Sequence, residues 1–558
     1  MANEVKQMIE IHCINTDSKF LVPSGMSVKE IISFAGIKES ETILGAILNN
    51  KLVNLSYRVY SPKTIEYIGI QSTFGTRMYA YSLMMMAYKA CKTLYPQGEL
   101  HIKHSMRKGY YAELENVEED SEKIVASLKK EMKKLVEQDI EFERKIVTSE
   151  EAISLFEKVG LKEKAKLISS RQRLYADIDI LDGTINAFFF EMVPSTGYLS
   201  VFDVQAYDKG FILLMPDAEK DYKKPATAVK QDKIFSIFQE HKNWVEVLGT
   251  PYLPYLNEEI QNGNQNYLIQ VSEALHEKKY AQIADAIYKK KDVKFVFLAG
   301  PSSSGKTTSC RRIATQLSVL GLKPLQISLD DYFHDRAHTP KDENGNYDFE
   351  CLEALDLDFF AQQMDELLKG KEIQLPRFNF KTGEREIREE KVSLSEKSIL
   401  IIEGIHALNP KLSENIARKN KYFVFVSALT QLSLDRQNLI STSDNRLIRR
   451  IVRDFNYRGA SAERTLSMWA SVRNGEEKHI FPFQENADSI FNSSLLYEIG
   501  VLKTYCEPLL LQVPQTSPNY ATARRLREFL SNFTEIRTDF IPPTSIMREF
   551  LGGSSFSY

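Results

Sequence analysis

Residues Gly300 to Thr307 read G-P-S-S-S-G-K-T, two glycines separated by four residues and followed by lysine and threonine. That spacing suits a loop that wraps phosphate: the glycines let successive backbone N–H groups turn inward, and a helix starting at the lysine adds its positive end. Lys306 would reach the outer phosphates of a nucleoside triphosphate, and the Thr307 hydroxyl would hold magnesium. The apolar run Phe295 to Ala299 before the loop and a helix-like stretch after it are the flanks this geometry needs. Gly300, Pro301, Ser302, Ser303, Ser304, Gly305, Lys306, Thr307 and Thr308 therefore form the expected contact set for ATP or GTP.

Two further strand ends carry acids. Leu325 to Leu329 runs into Asp330-Asp331, and Ile399 to Ile402 runs into Glu403-Gly404. At the end of a parallel strand a carboxylate faces bound phosphate, so Asp330 can take a proton from an attacking hydroxyl and Glu403 can hold magnesium, directly or through water. The plain alternatives are a turn cap for the aspartates and an ordinary junction acid for Glu403. Farther on, RLIRRIVRDFNYRG places Arg446, Arg450 and Arg453 at helical spacing, with Arg449 adjacent and Arg458 just past the turn. This face either closes over a transferring phosphoryl group or is a solvated surface.

These groups need a scaffold. Short apolar runs at 295 to 299, 324 to 329, 398 to 402 and 422 to 426, alternating with helical stretches, predict a parallel sheet covered on both faces, with ligands at the carboxyl ends of its strands. At 558 residues the chain should form three or four structural units. The first, residues 1–70, predicts strands at 7 to 13, 18 to 22, 46 to 48 and 64 to 68. A ten-residue helix, VKEIISFAGI, is capped by Ser27 and Glu30, and the whole is a unit of β-grasp type. Residues 71–230 predict an α+β unit: a helix from Met78 to Leu94, charged amphipathic helices over 117 to 170 with a break near Thr148, and strands at 188 to 190, 198 to 206 and 211 to 215. Residues 217 to 230 read as an exposed loop. Residues 231–290 form a helical connector, 291–515 the nucleotide-binding unit, and 516–558 a tail that docks onto the body or onto a partner.

A net charge of −3 gives no general attraction to nucleic acid, and the first 230 residues hold 31 Lys+Arg against 32 Asp+Glu. A local patch such as Lys103 to Lys108 could still meet RNA, tRNA included. The start MANEVKQMIE has no basic segment followed by an apolar run, and the longest apolar runs are too short to span a bilayer, so a cytoplasmic location is expected, with homo-oligomers left open. Five scattered cysteines, with no CxxC pair, read as small buried hydrophobes.

VFLAGPSSSGKTT, ISLDDYF, YDFECLEALD, LPRFNF, ILIIEGIHAL and RRIVRDFNYRG stand in the order of motifs in the uridine kinase and phosphoribulokinase family, which residues 290 to 515 resemble. The resemblance implies a P-loop kinase that moves a γ-phosphate to a hydroxyl. Asp330, Lys306, Arg450 and Arg453 are its implied catalytic groups, and Thr307 and Glu403 its magnesium side. Asp330, Phe333, Glu350, Phe378, Arg453 and Arg458 would face the acceptor. Where uridine kinases have a ribose-binding aspartate, a pyrimidine-reading tyrosine, a histidine, a glutamine and an arginine, this chain has Glu350, Phe378, Gly383, Met468 and Ala460. A nucleoside stays the leading acceptor, with Phe378 and Phe380 available to stack on a base; a sugar or other polyol is the alternative, and a nucleotide-gated RNA-binding or regulatory protein is the rival without transfer.

The first unit resembles the TGS domain, and the next resembles the second additional domain of threonyl-tRNA synthetases, through YAYSLMMMAYKACKTLYPQG, HSMRKGYYAEL and MVPSTGYL. In that pattern HxxxH and CxxxH pairs hold a metal. Here Tyr81, Met85, Phe188 and Met192 take those places, which implies no hydrolytic editing, while His101 and His104, with no thiolate partner nearby, suggest a surface or turn role ahead of a metal one.

Overall fold

The computed structural model describes residues 7–37, 42–171, 173–341, 345, 347–348, 350–379, 382–430 and 432–557. Phe380, and the Phe349 that precedes Glu350, lie outside the described residues.

A five-stranded sheet opens the chain, in the order Ser18–Pro23, Met8–Cys13, Lys63–Gly69, Ile43–Leu48, Lys51–Val53. Met8–Cys13 and Lys63–Gly69 pair in parallel, and the other three pairs are antiparallel. Ser27 and Glu30 form the expected reciprocal cap, yet the helix they start is one turn, Val28–Ile31, followed by a 3-10 turn at Ile32–Phe34. The β-branched pair Ile31-Ile32 favours helix weakly, and the Ser33 hydroxyl takes the Glu30 carbonyl at 2.9 Å, which tightens the turn.

Helix Thr73–Leu94, capped by Ser72, is buried on most of its surface. Beside it lies a four-stranded antiparallel sheet in the order Asp203–Tyr207, Gly210–Leu214, Gly109–Glu115, Glu99–Met106. The charged stretch 117 to 170 is not all helix. Between helices Ser121–Gln138 and Ser149–Lys158 the strand Phe142–Thr148 pairs with Tyr175–Leu181, and Arg144 turns inward onto Asp179 at 2.8 Å. Phe188 to Phe190 form no strand; the rings of Phe188 and Phe190 pack on Tyr81 and Phe74 instead, and Phe189 lies under the Arg171 guanidinium. Of the expected strand 198 to 206, the first part is a 3-10 turn, Thr196–Leu199.

After the loop 217 to 230, helices Asp232–Val247, Leu253–Gln261 and Gln265–Lys289 lead to a five-stranded sheet, all parallel. Its order is Lys323–Ser328, Ser398–Glu403, Phe295–Ala299, Lys421–Ser427, Ser489–Asn492, so the strand before the phosphate loop is central. Alternation along the strands fills two cores. Val296, Leu298, Ile399 and Ile401 face helix Lys306–Val319, while Phe295, Phe297, Leu400 and Ile402 face helix Leu357–Leu368. Each such fully buried side chain contributes about 1.5–3 kcal/mol. An unforeseen hairpin, Ile373–Asn379 with Glu384–Val392, leans on one edge.

The two halves interlock. Between strand Lys421–Ser427 and helix Thr442–Arg458, the chain inserts residues 432 to 440 among the earlier elements. The Ile102 N–H donates to the Arg436 carbonyl (2.9 Å), Gln437 Nε2 to the Leu100 carbonyl (2.8 Å), and Lys164 Nζ lies 2.7 Å from Asp435 Oδ1, both side chains 1% exposed. Arg77 and Arg525 both grip Asp444, in the first turn of the following helix. All five cysteines are buried, and no helix among the described residues is long and apolar enough to cross a membrane.

Candidate functional site

The site gathers at the carboxyl ends of the parallel strands. Gly300 leaves its strand so close to the next one that a Cβ there would sit 2.1 Å from the Val426 carbonyl oxygen. Gly305 has φ 83°, the left-handed turn that starts helix Lys306–Val319. Between them Ser303 is also left-handed, at φ 57°. Lys306 folds back, its ammonium donating to the Pro301 carbonyl at 3.3 Å.

Parallel register sets Glu403 beside Leu298 and Ser328. The Thr307 hydroxyl donates to Glu403 Oε1 at 3.4 Å and the Ser328 hydroxyl to the same atom at 3.5 Å. Burial pushes the Glu403 carboxyl up to about 7; Lys306 and the Thr307 hydrogen bond oppose this, Asp330 and Glu549 assist it. Burial likewise raises Asp330, against the pull of Lys306, Arg458 and Arg453. Glu350 is pushed up to about 7 by burial and by Glu476, with Arg450 and Lys306 opposing. These mutual influences bring Lys306, Asp330, Glu350, Glu403, Arg450, Arg453 and Arg458 into one electrostatic cluster.

The neighbouring aspartate does different work. Asp331 accepts from the Phe378 N–H (3.2 Å) and pairs with Arg388 (2.9 Å), splinting the 373–392 hairpin to the strand end. Phe333 and Phe378 meet edge-on at 5.7 Å, and both are buried in the core. Phe378 is thus held in the core with Phe333. Arg336 donates its N–H to the carbonyl of Gly383 (2.9 Å), and Met468 is 47% exposed. Glu350 lies against Gly475 on helix Ala462–His479.

The arginines divide. Arg446 and Arg449 are buried braces rather than part of a closing face: Arg446 pairs with Glu476 and donates to the Ser302 carbonyl (3.1 Å), and Arg449 pairs with Glu498 and reaches the Ser493 carbonyl (2.8 Å). Burial works against Glu476, but Arg446 and Arg473 hold its carboxyl below the ordinary range. Arg450 donates to the Ser302 hydroxyl at 2.7 Å. Asp454 gathers Arg450, Arg453 and Arg458 at 3.2, 2.8 and 3.6 Å, and Arg458 is the last residue of its helix, not a residue past the turn. Asp454 was legible as the i+4 partner of Arg450; Glu476 and Glu498 had no local signal.

In the earlier half, Tyr81 meets Phe188 edge-on at 6.1 Å, and Met85 and Met192 are buried in the same cluster. His101 and His104 are buried on strand Glu99–Met106, not in a surface turn. Glu99, His101 and Glu115 bring ligand atoms within 4.8 Å of one another, but cationic charge already stands there: Lys103 lies 3.0 Å from Glu115, and Arg436 pairs with Glu99. In the basic patch, Lys103, Arg107 and Lys108 each pair with a carboxylate.

Residues 295–497 match the model of the Phosphoribulokinase / Uridine kinase family. A uridine kinase of Bacillus velezensis is 31% identical over 195 residues, 35% of this chain and 82% of that protein. A threonine-tRNA ligase of Carboxydothermus hydrogenoformans is 25% identical over 190 residues, 32% of this chain and 28% of that protein. The solved D-glycerate 3-kinase of Cryptococcus neoformans has a TM-score of 0.29 at 14% identity, over 37% of this chain and 89% of that one.

Proposed function

This chain belongs to the phosphoribulokinase and uridine kinase family, a phosphotransferase family, and on that footing we propose that it transfers the γ-phosphate of ATP to a hydroxyl of a nucleoside. The observation that supports the reading is the glycine-hinged loop from Gly300 to Gly305 opening helix Lys306–Val319, with Asp330 just past the carboxyl end of strand Lys323–Ser328 in the same parallel sheet.

In this reading the inward N–H groups of the loop and Lys306 hold the triphosphate. Asp330, whose proton affinity is raised by burial, accepts the proton of the acceptor hydroxyl as that oxygen attacks phosphorus and the bond to the β-phosphate oxygen breaks. Arg450 and Arg453, released from Asp454, meet the charge that spreads over the transferring group. Glu350 binds a neighbouring acceptor hydroxyl, and Arg458 closes the outer side. Thr307 and Glu403 offer oxygen donors only, joined to each other, a set that fits magnesium. Bound there, the ion would neutralise phosphate charge.

The first 70 residues are proposed as a β-grasp unit of TGS type, on the strength of the sheet order above. Residues 71–230 are proposed as a synthetase-like unit without hydrolytic activity, because Tyr81, Met85, Phe188 and Met192 close its metal position with apolar packing. The threonine-tRNA ligase likeness supports both. A sugar or other polyol is the second reading of the acceptor, favoured by the burial of Phe378, which removes one base-reading contact.

Purified protein with ATP and magnesium is to be offered a library of nucleosides and sugars, with products read by mass spectrometry. A nucleoside monophosphate is expected, lost in Lys306→Ala and reduced about 10²- to 10⁴-fold in Asp330→Asn. A sugar phosphate with no nucleotide product would overturn the nucleoside assignment and leave the kinase.

A further inference from the structure

The end of the chain is built into the phosphate loop's surroundings. Ile546, Met547 and Phe550, around the helical turn Met547–Leu551, are 0% exposed and share one core with Cys310 and Ile313 of the phosphate-loop helix. Ile546 packs against Gly305, where a Cβ would lie 3.0 Å from Ile546 Cγ2. The Arg449 guanidinium lies 5.2 Å over the Phe550 ring, Asn456 donates to the Phe550 carbonyl at 2.9 Å, and the Ser545 hydroxyl donates to Glu273 at 2.6 Å. Anchored this firmly, the turn is a wall and not a loose tail.

One charged side chain on that wall reaches inward. Glu549 Oε2 accepts the Thr308 hydroxyl at 2.6 Å and the Thr308 N–H at 3.3 Å. Thr308 is the third residue of its helix, so its N–H is one of the donors that no carbonyl of the helix can satisfy. Such donors are what a phosphate loop presents to its nucleotide. The carboxylate also raises the proton affinity of Glu403, which puts its charge within the cluster described above.

We propose that Glu549 stands in the nucleotide site as a surrogate phosphate, occupying the helix N-terminus until a nucleotide displaces it. The main chain of 545–551 stays docked and only the Glu549 side chain swings away. The proposal rests on the nucleotide-binding reading above and gives the chain a built-in competitor that weakens affinity for any phosphate-bearing nucleotide, because only the fraction with Glu549 turned out is competent to bind.

Calorimetric titration of ATP and ADP into the full chain tests it, comparing the unaltered protein with Glu549→Gln and Glu549→Ala. Glu549→Ala should bind both nucleotides about tenfold tighter, and Glu549→Gln, which loses the charge but keeps the shape, should be intermediate. Equal or weaker binding in both variants, with thermal midpoints showing them folded, would make Glu549 a structural cap and overturn the proposal. ATP binding by none of the three proteins would instead remove the nucleotide-binding reading, and this proposal with it.

Discussion

Replacing Glu403 by glutamine should stabilise the protein, and only at the pH where its chemistry is needed. Burial carries this carboxyl from an ordinary 4.5 to about 7. Keeping it ionised above that pH costs about 3 kcal/mol, or about 2 after allowing for its partial contact with water. A raised acid keeps its proton in the folded chain where the unfolded chain has already lost it. Stability therefore falls as the pH rises from about 4.5 to 7, and the full cost stands above 7. Glutamine removes the charge and retains an oxygen that can accept from Thr307 and Ser328. Thermal scans without nucleotide or magnesium should show Glu403→Gln melting about 2–4 °C higher than the unaltered chain at pH 8.5 and nearly level with it at pH 5. Transfer activity should be lost. A gain of equal size at both pH values, or a lower midpoint at pH 8.5, would refute the idea that Glu403 is held ionised against its surroundings.

Gly300→Ala sets a Cβ 2.1 Å from the Val426 carbonyl and 2.8 Å from Ser304 Oγ, so two central strands must part; a loss of about 2–3 kcal/mol and of ATP binding is expected from thermal scans and titration. Asp444→Asn leaves two guanidiniums facing each other without their shared charge, at a cost of about 3–5 kcal/mol. Burial opposes ionisation of Asp444, but Arg525 and Arg77 hold it well below the ordinary range. The deficit of the variant should therefore persist at pH 5 and shrink only as the pH falls below the unfolded value of 3.8. Unfolding midpoints across pH 3 to 8 check this.

The phosphate loop, the alternation of strands with helices and the acids at the strand ends were readable because each is local: a spacing, an apolar run, the next residue. Strand Phe142–Thr148 was not, since its charged residues look like a helix face, and nothing local announces that Arg144 turns in to meet Asp179, 35 residues away. The arginines of helix Thr442–Arg458 showed their periodicity, but their division into braces and site groups depends on Glu476 and Glu498, supplied by later helices. Phe378 stood in a motif tied to base recognition, and its side chain was claimed by the core through Phe333. Glu549 had only the apolar spacing around it as a sign that the chain end would dock.

The insertion of residues 432 to 440 has a bearing on how the chain can be divided. A fragment beginning near residue 290 would carry Asp435 without Lys164 and Asp444 with only one of its two guanidiniums, and the helix that opens at Thr442 would start from a frayed root. The two halves are mutually dependent at this seam: excised from the earlier elements, the segment that matches the family inherits an unfinished edge, so its stability and that of the entire polypeptide are different quantities.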